Sequence, residues 1–208
     1  MPSHGGSTRD EAVPEAILHP ASRSLFSYWN RLRGQRSAPV RQEIELRSIA
    51  AILPWVGIID GHSTPRRHCW RLAGTGIARL WGSGLTGTEV TAGWPDVYGR
   101  ALVRALDGVC DRRQPFVARL KATSACGKMV GIEIFAAPVE AGGGAIQSVC
   151  TVVPFREPSW LGRIPLVDME LSTILAIWTD PLPDEMAGVH SRGPGSAQFK
   201  LIKGGRSD

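Results

Sequence analysis

Residues 116–136 read FVARLKATSACGKMVGIEIFA, and apolar residues alternate with other residues in both halves of this segment. A period of two is the period of a β-strand with one face in the core. Between the halves, residues 125–127 predict a three-residue hairpin loop with Gly127 in the left-handed conformation. This loop predicts the pairs Ser124 with Lys128, Leu120 with Ile132, Ala118 with Ile134, and Arg119 with Glu133. Apolar residues then meet on one face and an ion pair forms on the other, so the turn and the pattern support the same hairpin.

The chain before this hairpin predicts several helices and two more strands. Ser22 or Ser24 can cap a first, amphipathic helix, whose apolar residues recur at helical spacing until Gly34 ends it. The remaining patterns predict a helical segment at 43–53, strands at 55–60 and 68–73, short helices within 74–90, and a longer helix that starts at Pro95 and Asp96.

Residues 145–154 predict a third strand after the hairpin, so that the last three strands form a meander. The two earlier strands must join the same sheet, because an isolated hairpin is only marginally stable. Helices between the second and third strands would cover one face of that sheet. The predicted fold is therefore α+β, a five-stranded sheet with helices on one face and an N-terminal amphipathic helix.

The composition is that of an ordinary globular protein. In 208 residues the chain has 43% hydrophobic and 21% charged residues, with 24 Lys+Arg against 19 Asp+Glu and a formal net charge of +5. The four cysteines form no close pair, which argues against a disulfide framework or a structural zinc site. Neither a signal peptide nor an apolar run of about 18 residues is found, so we expect a cytoplasmic protein without membrane contact.

Proline, glycine and charged residues mark the limits of the folded part. Residues 1–21 lack periodicity and predict a disordered lead-in, and the folded domain is expected at 22–158. A C-terminal extension follows at 159–208. Within it we expect a possible helix at 161–179 and then a disordered tail rich in glycine and proline.

Four segments together resemble an alphaproteobacterial family of PAS domains over about residues 25–155. They are LFSYWNRLRG (25–34), IAAILPWVGIID (49–60), WRLAGTGIARLWGSGLTGTEV (70–90) and FAAPVEAGGGAIQSVCTVVPF (135–155). The resemblance implies a five-stranded antiparallel sheet with helices on one face and a small internal cavity. It also implies a non-catalytic sensory or protein-interaction module, often a dimer.

The sequence departs from the branches of this family that bind cofactors. The flavin-binding branch has a GxNCRFLQ motif with a photoreactive cysteine, and nothing similar occurs here. Haem-binding members place an axial histidine on the long helix, whereas residues 96–110 contain none. We therefore expect no flavin, no haem and no metal, although an unknown small ligand stays possible.

The same arrangement implies which residues surround the internal cavity. The candidate ligand pocket consists of Trp70, Leu72, Ile77, Trp81, Leu102, Leu106, Leu120, Ile132 and Ile134.

The other face of the sheet is half apolar and needs a cover. The first helix can cover it within its own chain or by exchange across a homodimer, and a mixed face of this kind suits a protein partner. The candidate partner surface consists of Leu25, Trp29, Val117, Met129, Phe135 and Val149.

Two alternatives to a signalling module stay open. Between residues 22 and 48 six arginines stand against two glutamates, a local charge of 6 − 2 = +4, which would suit nucleic acid; no recognition motif accompanies it. An enzyme of small-molecule metabolism would need a polar cluster in the cavity, and none is evident.

Two shorter motifs are weak. Gly74 and Gly76 resemble the start of a dinucleotide-binding loop, but Arg79 occupies the place of the third glycine, so tight turns are the preferred interpretation. His62 and His68 lack further ligands for a metal.

Overall fold

The computed structural model describes residues 13–61, 66–82 and 84–178, together with the backbone of a strand at 196–199. Three α-helices are present among these residues: α1 (Pro20–Arg33), α2 (Thr75–Trp81) and α3 (Asp96–Arg112). Two 3-10 segments, Arg41–Glu43 and Leu46–Trp55, replace the single helical segment predicted at 43–53. The strands are β1 (Val56–Asp60), β2 (Cys69–Ala73), β3 (Phe116–Ser124), β4 (Met129–Glu140), β5 (Ile146–Pro154), β6 (Leu166–Ile177) and β7 (Ser196–Phe199).

All seven described strands form one antiparallel sheet in the order β2-β1-β5-β4-β3-β6-β7. The five predicted strands are present in this sheet, and two unpredicted strands extend it beyond β3. Helix α3 packs against β4, β5 and β6 on the inner face, whereas α1 packs against β4 and β5 on the outer face. The α+β class and the covering helices are confirmed, and the strand count of five is too low.

The β3–β4 hairpin has the predicted register. Leu120 pairs with Ile132 and Arg119 with Glu133, and the Ser124 amide donates to the Lys128 carbonyl at 2.8 Å. Gly127 has φ 78°, the left-handed conformation that the loop requires. Local turn chemistry and strand alternation therefore suffice to define this part of the fold.

The helix predicted at 161–179 is wrong, because residues 166–177 form strand β6 along the edge of β3. Two irregularities in the β3–β6 register disturb the alternation of β6, so its sequence does not show the regular period of a strand. The unpaired backbone groups of β3 favour a further strand, which then buries Met169 and Leu171 on the inner face.

The prediction that the C-terminal tail is disordered is wrong for one short segment. Residues 196–199 form β7, which pairs with the end of β6. The rest of that predicted tail, residues 181–195 and 200–208, lies outside the described residues.

The segment before α1 is ordered from residue 13, which corrects the lead-in predicted at 1–21; residues 1–12 lie outside the described residues. Ile17 is fully buried, and the helix begins at Pro20. His19 caps it, since its Nδ1 accepts from the Ala21 amide at 3.1 Å. Ser22, one of the predicted caps, lies inside the helix and faces the sheet.

Candidate functional site

The residues predicted to line a ligand pocket lie, with one exception, on the inner face of the sheet. Eight of its nine candidate residues pack in or against one core: Trp70, Ile77, Leu102, Leu106, Leu120, Ile132 and Ile134 are buried, and Trp81 is partly buried against them. The structure therefore brings these residues together as the sequence analysis expects.

Leu72 does not belong to this pocket, because its side chain is 50% exposed. Ile59 pairs with Trp70 and the preceding residue Ile58 pairs with Leu72, so Arg71 is an extra residue in β2. A one-residue bulge places Trp70 and Leu72 on opposite faces of the sheet, although simple alternation places them on the same face.

The space between the pocket residues is almost filled by their own side chains. The cavity there has a volume of about 10 Å³ and is lined by large residues that include Trp70, Trp81, Trp94 and Phe116. A volume of this size holds about one water molecule. The inner core is thus closed to any larger ligand in this conformation.

Helix α1 covers the outer face within its own chain. Five of the six candidate partner-surface residues are buried there: Leu25, Trp29, Val117, Phe135 and Val149. The sixth, Met129, is 62% exposed. With α1 in this position, those five residues are not available to a partner or a second copy.

Glu133 is the central polar residue of the outer face. Its carboxylate is fully buried and accepts hydrogen bonds from the amides of Leu18, at 3.0 Å, and His19, at 2.9 Å. Arg119, the predicted partner across the hairpin, has its Nε 3.8 Å from Glu133 Oε2 and also donates to the Ala16 carbonyl. A buried carboxylate is costly unless it is paired and hydrogen-bonded, so these contacts hold the segment before α1 on the sheet.

A second set of polar contacts holds α1 itself. The hydroxyl groups of Ser22 and Thr151 are hydrogen-bonded at 3.0 Å in a buried position, and Trp29 Nε1 donates to the Pro138 carbonyl at 2.7 Å. The sequence patterns predict neither the contact of Glu133 with the segment before α1 nor the contact of Ser22 with Thr151. The sequence does contain a signal for Glu133, because it is the one charged residue in the otherwise apolar run 130–139 of a central strand. A charge in such a position is buried and needs a partner.

The basic residues near α1 are partly engaged within the chain. Arg33 is buried and lies over the Trp29 ring at 5.3 Å, and Arg36 forms an ion pair with Glu43 at 2.9 Å. Arg23 also donates to the Ile17 carbonyl at 3.1 Å, and Arg31 lies over the Tyr28 ring at 5.6 Å. Four of the six arginines that suggested a nucleic-acid contact therefore have other partners.

Two of the cysteines, Cys110 and Cys150, and one histidine, His68, are buried. Burial raises the pKa of Cys110, and it raises the pKa of Cys150 to about 12, so both remain thiols at neutral pH. His68 is buried with Nε2 2.9 Å from Asp107 Oδ1, while His62 lies outside the described residues. Across residues 13–61, 66–82 and 84–178, no group of three ligating side chains could hold a metal ion.

The helices of the described part do not include one with the length and apolar character needed to cross a membrane. A family model described as a PAS domain matches residues 17–153, which include α1, both faces of the sheet and α3. None of the curated proteins matches the chain.

Proposed function

Because the chain belongs to the PAS domain family, we propose that it is a sensory and signalling module whose output element is helix α1 on the outer face of the sheet. The observation that supports this proposal is the buried Glu133 carboxylate, which binds the chain where it turns into α1. The module is non-catalytic, belongs to an alphaproteobacterial branch of the family and works in the cytoplasm. It responds to a small ligand, a protein partner or both.

The contacts of α1 suit a helix that can leave the sheet as a unit. Apolar packing of Leu25 and Trp29 holds it, at roughly 1.5–3 kcal/mol for each fully buried large side chain. Its polar contacts with Glu133 and Thr151 are reversible, because water can satisfy the same groups once the helix has left. Release of α1 would uncover Val117 and Phe135, the surface predicted for a partner.

A signal must favour one of these two states. A ligand or partner shifts the balance only by the difference between its affinities for the docked and released states. A second copy that binds the uncovered outer face would select the released state and give a homodimer. A ligand bound beside α3 would act through the sheet, which α1 and α3 contact from opposite faces.

The test of this output element is hydrogen exchange of residues 20–33 in the Glu133→Gln variant. The amide oxygen of glutamine can accept one of the two N–H groups, and its NH₂ group then faces the other. Loss of a buried hydrogen bond to a charged group costs about 1.5–3 kcal/mol, so exchange in α1 should become at least about tenfold faster.

Glu170→Gln is the matched control, since Glu170 pairs with Lys121 at an exposed position of the same sheet. A surface pair is worth at most about 1 kcal/mol, so α1 should keep its protection in this variant. Equal protection of α1 in Glu133→Gln and the native protein would refute the proposal that Glu133 governs the output helix.

A further inference from the structure

A groove with a volume of about 390 Å³ lies between helix α3 and strand β6, outside the closed inner core. The helix contributes Ala101, Arg104, Ala105, Gly108 and Arg112, and the strand contributes residues 171–174 and Ala176. Ligand sites in proteins have volumes of about 300–1,000 Å³, so this groove is large enough for a small molecule.

The groove exists because α3 presents its smallest side chains towards β6. Ala101, Ala105 and Gly108 recur at helical spacing on one side of α3 and leave the gap unfilled. At Gly108 an added methyl group would lie 2.8 Å from Arg112 Nη2, so the guanidinium group of Arg112 lies above this glycine. The lining between the arginines is mostly apolar, with Leu171 and Ile174 of β6 opposite the helix.

The charged side chains that line the groove in the described part of the chain are both arginines. Arg104 and Arg112 line it, and in the described part of the chain neither forms an ion pair or a side-chain hydrogen bond. None of the three acids of α3 lines the groove. Asp96 pairs with Arg100 at 3.3 Å, Asp107 contacts His68, and Asp111 pairs with Arg66 at 2.7 Å. Gln114, which also lines the groove, has its Nε2 buried without a hydrogen-bond partner.

We propose that this groove binds a medium-chain fatty acid as its carboxylate anion. Arg112 would bind the carboxylate, because a guanidinium group forms strong paired hydrogen bonds with a carboxylate, and Gln114 Nε2 would donate to the same head group. Arg104 lies eight residues, or about 12 Å, earlier along the helix and would attract the anion through its positive charge. The alkyl chain would pack on Ala105, Leu171 and Ile174. This assignment rests on the proposed function and names the ligand to which the module responds.

The test is a calorimetric titration of the full-length protein with decanoate and with decanol. Decanoate should bind at least about tenfold more tightly than decanol, since only the anion gains the charged hydrogen bonds. The double variant Arg104→Gln/Arg112→Gln should lose at least about tenfold in decanoate affinity and little in decanol affinity. Ser172→Trp, at an exposed position in the lining, should block both ligands by filling the groove.

Arg100→Gln is the matched control, because Arg100 lies on the same helix, is exposed and pairs with Asp96 rather than lining the groove. It should bind decanoate like the native protein. The assignment is overturned if decanoate does not bind, if decanol binds equally well, or if Arg100→Gln weakens binding as much as the double variant.

Titration with decanoate and hydrogen exchange on the same proteins distinguish a wrong ligand site from a wrong output helix. Decanoate binding that depends on Arg104 and Arg112, without any change in hydrogen exchange of residues 20–33, would retain the site and reject α1 as its output. Faster exchange in Glu133→Gln together with no decanoate binding would retain the output helix and reject the ligand site.

Discussion

Gly74 resembles the first glycine of a dinucleotide-binding loop, but in the structure it allows two segments of the chain to pack closely. A methyl group added to Gly74 would lie 2.5 Å from the Leu53 carbonyl oxygen and would also collide with the Pro54 carbonyl. Gly76, in the first turn of α2, is similarly close to Pro54 and to the Trp55 ring. The two glycines therefore allow α2 to start against the 3-10 segment. This contact supports the interpretation that the glycines serve tight turns, and not a dinucleotide-binding loop.

The substitution Gly74→Ala is expected to destabilise the protein by about 1–3 kcal/mol, because the new methyl group overlaps backbone atoms that cannot move independently. Urea unfolding followed by circular dichroism measures the loss. Gly84→Ala is the control, since an added methyl group there meets no atom within 4 Å, and its effect should stay within about 0.5 kcal/mol. Equal effects of the two substitutions would contradict the packing argument.

His19 links the stability of α1 to pH. Burial lowers the pKa of His19 below its ordinary value of 6.5, although Glu133 and Glu157 oppose this shift. The unfolded chain therefore binds more protons than the folded chain as the pH falls through 6.5, so stability is lost on acidification. Protonation also removes the Nδ1 acceptor that caps the helix.

The melting temperature should accordingly fall between about pH 7.5 and about pH 5.5, on either side of the ordinary histidine pKa. His19→Asn keeps a capping side chain that does not titrate in this range, so its melting temperature should depend less steeply on pH than that of the native protein. Parallel pH profiles of the two proteins would show that His19 does not contribute.

At the scale of whole elements, the β3–β4 hairpin and strand β6 differ in how far sequence predicts them. The hairpin could be predicted in register, because its turn and its alternation are local and agree. Strand β6 could not, because register irregularities disturb its alternation and its partner β3 lies more than forty residues earlier in the chain. The ladder between them is a long-range interaction that pattern analysis of a single segment does not reveal.

Truncation after residue 158 is expected to destabilise the domain strongly, although the family match ends before this point. The shortened chain leaves the β3 edge unpaired and removes the buried side chains of Met169 and Leu171. Circular dichroism melts and light scattering should show a lower melting temperature and association. A chain ending at residue 178 keeps β6 and is the control, and equal melting of both truncated forms would contradict a structural role for β6.

At the scale of the whole molecule, the sheet separates two cores that the chain covers in different ways. The inner core is closed by α2, α3 and the tryptophans, and the outer core is closed by α1. Of the predicted pocket, only Leu72 is misplaced, whereas most of the predicted partner surface is already covered. Any protein that binds the outer face would therefore have to compete with α1.

Self-association is expected to depend on competition between α1 and a second copy of the chain for the outer face. Glu133→Gln weakens the attachment of α1, so the outer face should be exposed more often and the dimer fraction should rise with protein concentration. Sedimentation velocity of the native protein, Glu133→Gln and the Glu170→Gln control measures this directly. A dimer fraction that is unchanged by Glu133→Gln would show that the outer face is not the surface of self-association.

The sequence by itself determined where the first five strands lie along the chain, the register of the β3–β4 hairpin and which residues share a face of the sheet. These features depend on turn chemistry and on periods of two and 3.6 residues. Only the tertiary structure decided that β6 extends the sheet, that Glu133 holds α1, that the inner core is closed and that a groove opens beside α3. Each of these depends on contacts between residues far apart in the chain, and on the volume that large and small side chains leave between packed elements.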